Sequence, residues 1–127
     1  MSRYFISQPM RDRSEEEIDE ERKWIFEIVQ KYDPEAELCE KEDCADRTAL
    51  ECLGMSIQRM ATADLVIFSP HWYTARGCFL EHACCGEYDR KHLDLPPLDI
   101  HTDSGLRLAD TEIAHAICDL KGARYVS

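Results

Sequence analysis

The chain has 127 residues, 44% of them hydrophobic and 32% charged, which fits one globular domain over residues 1–127 and excludes a disordered composition. Lys and Arg number 15 against 26 Asp and Glu, a formal net charge of −11 that argues against a nucleic-acid polymer as partner. No apolar run approaches the roughly 20 residues of a membrane span, and the N-terminus lacks a signal-peptide pattern. A cytoplasmic location without membrane association is the expectation.

Arg3–Ile6 reads as a short first strand that Pro9 ends. Ser14-Glu-Glu-Glu17 is a capping-box pattern, and the helix it opens runs to about Lys31 or Tyr32, before Asp33-Pro34. Ile18, Ile25, Ile28, Val29 and Tyr32 form its apolar stripe, with a gap at Glu21 and Arg22. The acidic run Glu15–Glu21 reads as a solvated face near a helix N-terminus. Ala36–Cys39 is a weak second strand. From about Arg47 to Ala61, Leu50, Leu53, Ile57 and Met60 give a second helix its inward stripe.

Leu65–Phe68 is an apolar, partly β-branched run and reads as a buried strand. A loop carrying His71, Trp72 and Tyr73 follows, and Arg76-Gly77 leads into a helix from about Cys78 to Arg90. Phe79, Ala83 and Gly86 are its expected packing side, with Leu80 and Cys84 beside them, and Glu81 falls in its first turn. The stretch 92–101 contains a fourth strand or extended segment interrupted by Pro96-Pro97, and Asp103-Ser-Gly105 reads as a turn. A last helix near 109–120 turns Ile113, Ala116, Ile117 and Leu120 inward before Gly122 stops it. This alternation predicts an α/β fold, a small Rossmann-like (flavodoxin-like) three-layer domain with a mostly parallel sheet.

In such a sheet, ligands bind at the carboxyl ends of strands, where loops after the first and third strands face one crevice. Arg11 there suits a phosphate or carboxylate, helped by Ser7. The competing reading is a surface arginine beside a helix start. Glu81 has two readings as well: a carboxylate that stabilises the helix dipole, or a nucleophile that the dipole keeps ionised. His71, Trp72 and Tyr73 cluster where a ring-shaped ligand could stack, or where a loop packs on itself. Seven cysteines, an odd number without a Cys-x-x-Cys, read as reduced thiols. Cys78, His82 and Cys85 share one helix face, a partial metal-ligand spacing, but three ligands on one helix need a fourth from elsewhere. No metal and no cofactor are expected.

The combination of Tyr4-Phe-Ile-Ser-Gln-Pro-Met-Arg11, Ala63-Asp-Leu-Val66 and Trp72-x-x-Ala-Arg-Gly-Cys-x-x-Glu-His82 resembles a family common in bacteria and their phages. That family has no assigned function and is placed within the nucleoside 2-deoxyribosyltransferase superfamily. The resemblance covers Arg3 to about Tyr88, and the remainder more loosely. It implies a Rossmann-like dimer and a glutamate nucleophile in a Gly-x-x-x-Glu setting, here Gly77 to Glu81. It implies cleavage or transfer at the N-glycosidic bond of a nucleoside or nucleoside 5′-monophosphate, the small-molecule partner. It assigns Tyr4, or Phe5 in its place, to support the nucleophile. The loop Ser7, Gln8, Met10 and Arg11, together with Ser56, Trp72, Arg76 and Gly77, is assigned to the substrate.

Two positions depart from the superfamily pattern. Thr74-Ala75-Arg76 stands where an acidic residue is common, and Ser56 stands where active members place an Asp that assists the leaving base. Either His71 substitutes as general acid, or the chemistry is altered or lost. The alternative function is a non-catalytic nucleotide-binding module that senses or sequesters its ligand.

Overall fold

Strands and helices alternate along the computed structural model, which describes residues 2–41 and 44–122. They are β1 (Arg3–Ser7), α1 (Glu15–Tyr32), β2 (Glu37–Leu38), α2 (Ala49–Thr62), β3 (Leu65–Phe68), α3 (Arg76–Glu87), β4 (His92–Asp94) and α4 (Asp103–Lys121). A single 3-10 turn, Trp72–Thr74, precedes α3. The sheet is parallel throughout, in the order β2-β1-β3-β4. That is the doubly wound α/β arrangement, with its switch point between β1 and β3. No helix among the described residues is long and apolar enough to cross a membrane.

The period of two in a strand divides the core into two layers. Tyr4, Ile6, Leu65 and Ile67 pack with Ile25, Ile28 and Val29 of α1 and Ala109, Ile113 and Ile117 of α4. Phe5, Val66 and Phe68 face the other way, toward Met60 of α2 and Cys85 of α3. Ser7 shares the second face, since it is two residues on from Phe5.

Three helices depart from the sequence reading. In α1, Glu21 is buried in the apolar stripe alongside Ile18 and Ile25, so the gap read at that position is a packed site. In α2 only Met60 is buried, and Leu50 is 76% exposed, so the predicted stripe turns largely outward. The buried face of α3 is Cys78, Glu81 and Cys85, whereas Phe79 is 57% exposed and Ala83 and Gly86 are exposed too. Here the helix lays small thiols and a carboxylate toward the sheet, and its larger apolar side chains lie on the surface.

Two boundaries also move. α3 begins at Arg76, so Glu81 lies in its second turn rather than its first. α4 begins at Asp103, so the predicted turn 103–105 is its first turn. Thr102 caps it by accepting from the Gly105 N–H at 3.1 Å. Gly105 is needed there by close approach: a Cβ at that position would sit 2.0 Å from the Asp99 carbonyl oxygen. At the other end Gly122, at φ 68°, takes the left-handed cap that the sequence signalled. Cys44 and Cys52 are joined as a disulfide, a correction to the reading of uniformly reduced thiols; Cys39, Cys78, Cys84, Cys85 and Cys118 are free.

Candidate functional site

At the switch point the ends of β1 and β3 lie side by side, with Ser7 paired to Phe68 and the Ser69 N–H donating to the Ser7 carbonyl at 2.9 Å. The Ser7 side chain points to the α3 layer and donates from Oγ to Oε1 of Glu81 at 3.1 Å, a buried hydrogen bond across 74 residues of sequence. Glu81 itself is 6% exposed. The structure therefore brings two sequence-predicted residues together, one from the first strand and one from the third helix.

Cys78 lies one helical turn before Glu81 on the same buried face. Burial pushes its thiol up to about 12; a hydrogen bond with Ser7 opposes the rise, and the carboxylates of Glu81 and Glu21 add to it. A thiol so raised stays protonated at neutral pH and is no nucleophile. Cys85, on the next turn, is pushed up to about 11, mainly by burial.

The start of α3 adds electrostatics. Its N-cap is Ala75, whose side chain makes no cap bond. A Cβ built on Gly77 meets nothing within 4 Å, so the surface at this terminus is open. Arg76 is exposed at the same end. The helix dipole and a guanidinium together favour an anion.

The loop after β1 is built differently from the sequence reading. Gln8 is buried, and its Nε2 donates to the Ile18 carbonyl at 2.9 Å and to Glu21 Oε1 at 3.0 Å. Arg13 grips the same carboxylate, with Nη2 3.1 Å from Oε2, and also donates to the Pro9 carbonyl at 2.9 Å. Gln8 is thus a brace within the chain, its Nε2 committed to α1. Glu21 and Arg13 went unrecognised in the sequence, although a charge on an apolar helix face is a signal of this kind. Met10 and Arg11 lie exposed in the turn beyond.

Tyr4 does not support Glu81. Its hydroxyl donates to Asp33 Oδ2 at 2.8 Å on the α1 face of the sheet, and Lys121 reaches the same carboxylate at 3.2 Å. Burial, then the hydrogen bond and charge of Asp33, drive the phenol well above its ordinary value. The strand's alternation is the reason: Phe5, not Tyr4, shares the face of Ser7.

His71 is exposed, with a left-handed backbone at φ 65°. It lines a depression of about 430 Å³ with Arg13, Glu21, Leu98, Ile100 and His101; Glu81 is not among the lining residues. Trp72 is half-buried and stacked on His82, with ring centroids 3.9 Å apart and planes 10° apart, so one of its faces is committed. Ser56 is half-buried on α2, the helix packed beside α3. Ser69, unremarked in the sequence, is fully buried, and its Oγ has no hydrogen-bond partner among the described residues. No family model and no curated protein matches the chain.

Proposed function

We propose that this protein cleaves or transfers at the N-glycosidic bond of a (deoxy)nucleoside or nucleoside 5′-monophosphate, with Glu81 as nucleophile. The observation that carries the reading is the Ser7–Glu81 pair, a hydroxyl-held carboxylate at the switch point of a parallel sheet. In the reaction a Glu81 oxygen attacks C1′ and the base leaves with the C1′–N bonding electrons. Water or an acceptor base then attacks C1′ of the glycosyl ester and frees the carboxylate, as in retaining glycoside hydrolysis.

The resemblance of the Ser7–Arg11 and Trp72–His82 segments to the nucleoside 2-deoxyribosyltransferase superfamily supports this chemistry. The α3 terminus with Arg76, and Arg11 on the β1 loop, support a 5′-phosphate. His71, on the loop between β3 and α3, is the candidate proton donor to the leaving base; the depression it lines does not include Glu81. The exposed Phe79 and Leu80 on α3 and Leu50 and Ile57 on neighbouring α2 favour a homodimer through that layer. The five free thiols suit a reducing, cytoplasmic compartment, whereas the Cys44–Cys52 disulfide suits an oxidising one.

The burial of Glu81 favours a second reading, a non-catalytic nucleotide binder in which the carboxylate braces β1 against α3. One screen separates the two. Nucleosides and nucleoside monophosphates are incubated with the protein, with and without an acceptor base, and released base is followed by chromatography. Release identifies the enzyme, and exchange distinguishes transferase from hydrolase. Binding without release throughout supports the second reading.

A further inference from the structure

The residue after Glu81 faces a different way. His82 Nε2 lies 2.8 and 3.0 Å from the two carboxylate oxygens of Asp94, on β4 at the sheet edge. His92, two residues before Asp94 on the same strand, places its ring 4.9 Å from that of His82. One ligand atom from each of His82, His92 and Asp94 lies within 4.8 Å of the other two.

The register makes this convergence. His92 pairs with Val66 and Asp94 with Phe68, both of which face the α3 layer, so the two β4 side chains emerge under His82. Each ring is also oriented from behind. Trp72 stacks on His82, and Phe68 meets it edge-on at 4.9 Å. His92 Nδ1 is 3.0 Å from the Arg90 carbonyl, which can only accept. The neutral His92 ring therefore carries its proton on Nδ1 and keeps the Nε2 lone pair for a ligand, the outer-shell arrangement common to metal-binding histidines.

We propose that His82, His92 and Asp94 form a binding site for a borderline divalent cation, zinc foremost. Two imidazoles and one carboxylate suit Zn²⁺ and its neighbours better than Ca²⁺ or Mg²⁺, which prefer all-oxygen shells. Zinc bonds of about 2.0–2.2 Å to N and O set tetrahedral ligand atoms roughly 3.3–3.5 Å apart, so the His82–Asp94 pair must part slightly and His92, whose ligand atom lies within 4.8 Å of the others, must close toward them. His92 and Asp94 are exposed, and three protein ligands leave a coordination position for water or an incoming oxygen anion. The site shares His82 with the Cys78, His82 and Cys85 spacing read from the sequence but takes its other two ligands from β4 in place of the buried thiols. It does not depend on the proposed glycosidic activity.

The test is calorimetric titration of the full chain, stripped by chelator, with Zn²⁺ at mildly alkaline pH, paralleled by Co²⁺ absorption. One equivalent should bind, and cobalt should give weak d–d bands without an intense thiolate charge-transfer band. His92→Ala and Asp94→Asn should each weaken binding at least about tenfold, the lower bound for losing even an outer-shell partner. His101→Ala should leave binding unchanged. His82→Ala removes a ring stacked on Trp72 and is open to misfolding, so the exposed His92 and Asp94 carry the test. Absence of saturable binding, a thiolate band, or binding that His92→Ala and Asp94→Asn leave within twofold would overturn the proposal.

Discussion

Glu21 is the residue whose removal should damage the β1 loop most. It is 7% exposed, and its two oxygens receive Gln8 Nε2 at 3.0 Å and Arg13 Nη1 and Nη2 at 3.2 and 3.1 Å. Breaking a buried ion pair by deleting one partner costs about 3–5 kcal/mol. The Arg13 side chain retains 23% of its exposure, so solvent recovers part of that cost. Gln8 keeps the Ile18 carbonyl as acceptor. We therefore expect Glu21→Ala to lose about 2–4 kcal/mol. With a urea m-value of about 1–3 kcal/mol/M for a domain of this size, the midpoint should fall by about 1–2 M. The double-mutant cycle with Arg13→Ala should return a coupling of about 1–2 kcal/mol, because the arginine no longer suffers an absent partner. A Glu21→Ala protein within about 0.5 kcal/mol of wild type, the scatter of neutral surface changes, would refute the brace.

Gly105→Ala should destabilise by at least about 1–3 kcal/mol in thermal or urea unfolding, since its Cβ would meet backbone at Asp99 rather than a side chain that can swing away; an unchanged Tm would contradict that close approach. Burial pushes the Asp110 carboxyl up, but hydrogen bonds from Lys31 and Tyr32 outweigh this and hold it below its ordinary value. Because its folded pKa is depressed, its contribution is present above the ordinary carboxylate pKa of about 3.9 and lost as pH falls through the lowered value; screening limits it to about 1 kcal/mol. Asp110→Asn should remove that part of the acid dependence, and identical acid-unfolding curves would remove the pair from the account. A 5′-monophosphate should bind more tightly than its nucleoside by about 1.5–3 kcal/mol, and equal affinities by calorimetry would delete the phosphate.

The fold was legible because hydrophobic periodicity marks it well: Leu65–Phe68 is a wholly buried strand, and Ile113 and Ile117 turn inward. Rotation of α3 was not legible, because Phe79, Leu80 and Ala83 form as apolar a stripe as Cys78, Cys85 and their neighbours. Only tertiary packing decides between them, and it chose the face carrying Glu81. Gly105 misled for a related reason, since glycine marks a turn and a tight helix start alike. The Ser7–Glu81 meeting was foreseeable from strand order, because both follow from the switch point. The cluster of His82, His92 and Asp94 was not, since it depends on the register of an edge strand that prolines obscure.

The central claim is that Glu81 forms a covalent bond to the sugar, and turnover of Glu81→Gln tests it most directly. Glutamine keeps the shape and still accepts from Ser7 Oγ, but lacks the charged oxygen that makes the ester. On a substrate that the wild-type protein cleaves, the variant should keep its Tm and ligand affinity while kcat falls by several orders of magnitude. A variant that retained full turnover would contradict the nucleophile and the mechanism built on it.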